Sequence, residues 1–277
     1  MAERASSANP FELTKAQYEI FRRIIYEYAG INLGNDKKEL LHARLGKVMR
    51  RRGIRGYDDF LALLMKDDAG EELVGLLDAI FTNVTHFFRE EEHFALLTEK
   101  LTEYGPSEYP RIWSAGCSSG EEPYSIAITL LEHGPKLSPP APCILATDLS
   151  TRMLSAALAG IYPATSVKNL NQAMLKKYFL KGVKASEGKV QVKPEVMNMV
   201  VFSRLNLMDP FEFYPPFRFI FCRNVMIYFD IPTREGIIEK FHRSLEPGGY
   251  LIVGHSESLR GIHHPLQYIR PTVYKKG

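Results

Sequence analysis

Trp113-Ser114-Ala115-Gly116-Cys117-Ser118-Ser119-Gly120-Glu121-Glu122-Pro123-Tyr124 is the stretch whose reading sets the fold. The apolar run before it, 111–115, predicts a strand. Gly116 and Gly120 let the backbone turn tightly beyond that strand. Pro123 suits the first turn of a helix, where its missing N–H costs nothing. Strand, glycine loop and helix repeat outward from here. Further strands are expected at 143–147, 199–202, 217–222 and 250–253, with helices between them and Pro232 opening one. Residues 267–274 carry a fainter strand signal. Such alternation predicts an α/β domain, Rossmann-like, with a mostly parallel sheet and helices on both faces.

One stretch breaks the alternation. Across about 161–200 a polar helix is expected at 171–179, and Gly182 and Gly188 then bracket a turn beside the alternating Val190 and Val192. This reads as a small inserted subdomain with a β-hairpin. Ahead of the sheet the period is helical. Thr14 and Gln17 form a capping box, Tyr18, Phe21, Ile25 and Tyr28 share a face, and Gly30 is a stop. Asp36 with Glu39 is expected to open a second helix burying Leu41, Leu45 and Val48. Asp68 with Glu71 opens another through Ile80, and a helix over 90–104 leads into the sheet. The domains expected are therefore 1–88, a small all-helical part with its linker, and 89–277.

Composition narrows the class. The chain has 277 residues, 45% hydrophobic and 24% charged, as an ordinary globular protein does. No basic-then-apolar leader and no apolar run near 20 residues is present, so a cytoplasmic protein without membrane insertion is expected. Cys117, Cys143 and Cys222 give no disulfide set and no metal-ligand spacing, and no metal is expected. Net charge is only +3, yet Lys37, Lys38, Arg44, Lys47, Arg50, Arg51, Arg52 and Arg55 crowd into 37–55 against Glu39 alone. An acidic partner is implied.

Ligands of an open parallel sheet bind beyond the carboxyl ends of its strands. Asp148 follows the second strand, where it suits a ribose diol; Asn206 and Leu207 follow the third; Arg223 and Asn224 follow the fourth. A dinucleotide would require Gly-x-Gly-x-x-Gly and bare N–H groups facing a pyrophosphate. Here Glu121 and Glu122 stand in that position. They repel phosphate and suit the sulfonium and ammonium of S-adenosylmethionine. One of the pair is expected to be a first-turn carboxylate favoured by the helix dipole, and Glu122 is taken as the ligand. A second cluster, Asn83-Val84-Thr85-His86-Phe87-Phe88-Arg89-Glu90, offers hydrogen-bonding groups and an arginine able to grip a carboxylate.

Asn83 to Glu90, Trp113 to Ala127, Ala146-Thr147-Asp148, Phe221 to Asp230 and Gly254-His255-Ser256-Glu257 together resemble the chemotaxis receptor glutamate O-methyltransferase family, in order and in spacing, from Tyr18 to Tyr274. The resemblance implies transfer of methyl from S-adenosylmethionine to glutamates of bacterial chemoreceptors. The products are γ-glutamyl methyl esters and S-adenosylhomocysteine, and chemotactic signalling is thereby adapted. It implies that Asn83, Thr85, Arg89, Glu122, Asp148, Asn206, Leu207, Arg223 and Asn224 contact the cofactor and that Arg89 and Tyr228 lie nearest the methyl. It also implies that the insert docks a receptor C-terminal peptide in some members. Ser114 departs from the acidic residue common in other methyltransferase loops.

The acceptor needs no general base, because a glutamate of pKa about 4.3 is already ionised. Phe229, Cys117 and Cys222 are expected in the core, and His255 as a structural hydrogen-bonder. Arg44, Lys47 and Arg51 form the candidate receptor face; the helix lacks the aromatics that nucleic-acid binders use for stacking. Two rivals are a nucleic-acid methyltransferase and a signalling module that binds S-adenosylmethionine without turnover. A monomer is assumed. The receptor and its modified glutamates are not legible.

Overall fold

The computed structural model describes residues 12–66, 70–80, 83–103, 105, 109–134 and 143–277. The chain divides into two compact units, 1–82 and 83–277.

In the first unit, α1 (Lys15–Ala29), α2 (Lys38–Arg52), α3 (Tyr57–Met65) and α4 (Glu71–Ile80) are described. The capping box forms: Thr14 Oγ1 accepts from the Gln17 N–H, and Gln17 Oε1 accepts from the Thr14 N–H. Gly30 ends α1 in the left-handed conformation. Phe21 packs on Tyr57 and Phe60 across the α1–α3 contact. Three expectations change. Asp36 lies in a 3-10 turn beside Lys37 and caps nothing, so α2 begins at Lys38. α2 buries Leu41, Leu45 and Met49, with Val48 half-buried, because the spacing of four continues to Met49. α3 was not foreseen: it buries Tyr57, Phe60, Leu61 and Leu64, but apolar Ala62, Leu63 and Met65 on its other faces blur that stripe. Asp68 lies outside the described residues.

The second unit contains α5 (Glu92–Leu101), β1 (Ile112–Ala115), α6 (Glu121–His133), β2 (Ile144–Asp148), α7 (Thr151–Ala159), β3 (Ile161–Pro163), α8 (Gln172–Tyr178), β4 (Phe179–Lys181), β5 (Lys189–Val192), α9 (Pro194–Met197), β6 (Val200–Arg204), β7 (Phe217–Cys222), α10 (Ile231–Ser244), β8 (Leu245–Val253), β9 (Gln267–Arg270) and β10 (Val273–Lys275). The main sheet runs β6-β2-β1-β7-β8-β10-β9, and its first five strands are parallel. From β1 the chain moves to β2 and β6 on one side, then returns to β7 and β8 on the other. The order therefore reverses between β1 and β7, which opens a crevice at their carboxyl ends. β1 is buried throughout, as a strand covered on both faces must be. Trp113 packs among Phe211, Phe213, Phe217 and Phe241, and its indole N–H donates to Thr147 Oγ1 at 2.9 Å.

Two strand expectations are corrected. The segment 267–274 is an antiparallel hairpin, β9 and β10, turned at Thr272 with φ of 66°. The insert is a three-stranded antiparallel sheet, β3-β5-β4, rather than a hairpin alone. Residues 83–88, grouped above with the helical part, belong to the second unit. The Phe88 N–H donates to Ser125 Oγ, and the Phe87 ring packs edge-on against Tyr162 and Phe179.

Candidate functional site

The crevice is built from the loops that leave β1, β2, β6 and β7. Gly116 follows β1 at φ of 81°, and a Cβ there would come within 2.4 Å of Val225. Glycine is thus required both by the turn and by the close approach of the loop after β7. The Gly116 and Cys117 N–H groups donate to the Thr147 carbonyl. The Ser118 N–H donates to Asp148 Oδ2 at 2.8 Å, and that of Ser150 to Oδ1 at 2.9 Å. These two donors orient the Asp148 carboxylate. Ser150 caps α7 itself.

The two glutamates part company. Glu121 is buried, accepts the Ser119 hydroxyl at 2.6 Å and has its carboxyl pushed above the usual range by burial. Glu122 faces the crevice, where it accepts the Ser114 hydroxyl at 2.7 Å and Arg223 Nη1 at 3.0 Å. Ser114 replaces an acidic residue by a donor that holds one.

Arg223 is the junction of the site. Its guanidinium is 2% exposed, bonds Glu90 Oε2 as well as Glu122, donates to the Arg89 carbonyl and lies over the Phe94 ring. Burial would raise the Glu90 carboxyl, but the charge and hydrogen bond of Arg223 outweigh it and hold it below its ordinary value. Asn224 follows at φ of 60°, and its N–H donates to Glu257 Oε2 at 2.6 Å. Glu257 is 2% exposed and also takes the N–H groups of Gly254 and Ile227, so it pins the loop after β7.

The segment before α5 closes the crevice. Phe88 and Glu90 sit at φ of 55° and 58°, in the left-handed region. The Asn83 carbonyl accepts the Ser118 hydroxyl at 3.3 Å. Thr85 is half-buried. Arg89 donates through Nη1 to the Val84 carbonyl and keeps about a third of its side chain exposed. Tyr228 is half-buried. Burial pushes its phenol up, assisted by Glu257 and opposed by the charge of Arg89. Asn206 and Leu207 are buried beyond β6, where Asn206 Oδ1 accepts the Met208 N–H, and the Leu205 N–H donates to the Asp148 carbonyl.

Asn83, Asp148 and Ser118 thus form one hydrogen-bonded group, and Arg89, Glu122 and Arg223 another. Arg44, Lys47 and Arg51 lie on α2 in the other unit; Arg44 is half-buried and the other two exposed. Sequence reasoning missed Glu90, Ser114 and Glu257, whose roles depend on partners as far away as 133 residues. Cys117 and Cys222 are buried, and burial raises both thiols, so neither is poised as a nucleophile.

The chain matches the family described as "CheR methyltransferase, SAM binding domain" over residues 83–275, and its companion, "CheR methyltransferase, all-alpha domain", over residues 16–81. The chain belongs to the CheR methyltransferase family. It is 42% identical to a chemotaxis protein methyltransferase of Borreliella burgdorferi, over 96% of this chain and 95% of that one. To a chemotaxis protein methyltransferase of Klebsiella aerogenes the figures are 41%, 98% and 92%. To that of Escherichia coli they are 38%, 95% and 91%. The cofactor of this CheR-family enzyme is S-adenosylmethionine. The crevice fits that donor: Glu122 in the first turn of α6 places a carboxylate where a dinucleotide site would need to receive phosphate, and Asp148 after β2 stands where a ribose is held.

Proposed function

We propose that this CheR-family methyltransferase esterifies glutamate side chains of bacterial chemoreceptors at the γ-carboxylate. The observation that carries the reading is Arg89, a partly exposed guanidinium at the crevice whose charge reaches the Tyr228 phenol. An arginine there suits an anionic acceptor, and it can grip a carboxylate bidentately. The relatives named as chemotaxis protein methyltransferases support a methyl transfer in chemotaxis.

Bound S-adenosylmethionine supplies the methyl group as a sulfonium. Glu122 and Asp148 are the residues to hold it, with Asn83, Thr85, Arg89, Asn206, Leu207, Arg223 and Asn224 around them. Arg89 orients the acceptor oxygen, and the Tyr228 hydroxyl steers the reacting groups. No side chain need take a proton, because the acceptor is ionised near neutral pH. The enzyme contributes alignment and exclusion of water.

The basic face of α2, with Arg44, Lys47 and Arg51, is proposed to meet the receptor's cytoplasmic helical bundle. The β3-β5-β4 insert is proposed to take its C-terminal peptide. No helix among the described residues is long and apolar enough to cross a membrane. The reading places the enzyme in the cytoplasm, acting as a monomer on the receptor. Tritiated S-adenosylmethionine incubated with receptor membranes tests it. Base-labile label in receptor supports the ester, whereas label in nucleic acid would replace the reading by the rival acceptor.

A further inference from the structure

Beside Arg223 lies a cluster whose two histidines methyl transfer does not use. Glu90, His93 and His255 each place a ligand atom within 4.8 Å of the others. His93 is 1% exposed, and its Nε2 lies 2.7 Å from Thr272 Oγ1. That hydroxyl donates its proton to the Pro271 carbonyl at 2.5 Å. With its one proton given to Pro271, Thr272 accepts, and His93 is the tautomer that carries its hydrogen on Nε2. Nδ1 is then a bare lone pair. It is buried, has no hydrogen-bond partner and stands 3.5 Å from Glu90 Oε2. Arg223 already supplies a cation to the Glu90 oxygen, so it is the His93 nitrogen that stands without a partner. The His255 ring lies 5.6 Å from that of His93, and its Nε2 lies against Glu92 Oε1. His255 is exposed, and a cavity of about 350 Å³ lined by Glu92, His93, His255 and Thr272 gives the cluster a way in.

We propose that Glu90, His93 and His255 bind a divalent transition-metal ion of the zinc class. Two imidazoles and a carboxylate form a mixed N/O donor set that suits Zn²⁺, whereas Mg²⁺ and Ca²⁺ favour oxygen shells. Arg223 Nη2, 3.1 Å from the same Glu90 oxygen, repels any ion held by charge alone and favours one that bonds to imidazole. The spacing was invisible in sequence because His255 lies 162 residues beyond His93. The test is titration of the full, tag-free, chelator-stripped chain with Zn²⁺ by calorimetry, and with Co²⁺ by visible absorption. One ion per chain is expected, with no Mg²⁺ heat. His255→Ala, a surface change, should weaken Zn²⁺ at least tenfold, and His263→Ala should not. Absence of Zn²⁺ binding, or wild-type binding by His255→Ala, would overturn the proposal.

Discussion

Arg223 Nη1 lies 3.0 Å from Glu122 Oε2, with the guanidinium 2% exposed and the carboxylate 12%. The same guanidinium holds Glu90, so one buried cation balances two carboxylates. Arg223→Met would remove the buried cation from both anions, leaving Glu122 only the Ser114 hydroxyl and Glu90 the more distant Arg89. Breaking such a pair costs about 3–5 kcal/mol. Urea denaturation is predicted to show a loss of that order, together with loss of S-adenosylhomocysteine binding by calorimetry. Stability within about 1 kcal/mol of wild type would show that Arg223 is not the junction described.

The adjacent glutamates are predicted to differ. Glu122→Gln removes the crevice carboxylate and should lower S-adenosylmethionine affinity about tenfold, or 1.4 kcal/mol. Glu121→Gln keeps an acceptor for Ser119 and removes a charge that burial already disfavours, so binding should be near wild type. A larger effect at Glu121 would reverse the assignment.

Arg89→Ala and Tyr228→Phe are predicted to fold normally and to lose methyl transfer by about 100-fold or more, as misalignment of reacting groups does. Arg89 is partly exposed and donates to the Val84 carbonyl, so its removal costs little stability. Thermal melts and tritium transfer to receptor membranes, measured on the same preparations, check both halves. Full turnover in the two variants would sink the assignment.

The pH profile has a predicted shape. The Tyr228 phenol is raised above its ordinary 10 by burial, so it stays protonated through the neutral and mildly alkaline range. Its stabilising contribution is present below pH 10 and is lost only as pH rises through the higher folded value. Transfer rates should therefore be level from about pH 6 to 9 and fall on the acid side as the acceptor glutamate protonates. A rate climbing tenfold per pH unit across neutrality would reveal a general base.

Reversing Arg44, Lys47 and Arg51 to Glu is predicted to raise KM for receptor about tenfold while leaving cofactor affinity unchanged, because rim charges govern encounter. None of the three is in an ion pair among the described residues. Steady-state kinetics in receptor concentration, beside calorimetry with S-adenosylhomocysteine, separates the two effects. An unchanged KM removes α2 from the receptor face.

By itself the sequence determined the alternation of strands and helices, the capping of α1, the glycine loop and the place of the crevice. Each depends on residues close together in the chain: period, a glycine at positive φ, a proline in a first turn. It also marked Glu122, Asp148 and Arg223 by their positions after strands, which topology converts into nearness. It missed α3, whose buried stripe of Tyr57, Phe60, Leu61 and Leu64 is blurred by apolar Ala62, Leu63 and Met65 beside it. Tertiary structure alone gave the two glutamates their partners: Glu122 takes Ser114 on β1 and Arg223 after β7, 101 residues away, and Glu121 takes Ser119. It alone decided that Glu257 pins the Asn224 loop and that His93 Nδ1 lies 3.5 Å from Glu90. Buried polar groups must find partners wherever the packed chain places them, and no local pattern records those partners.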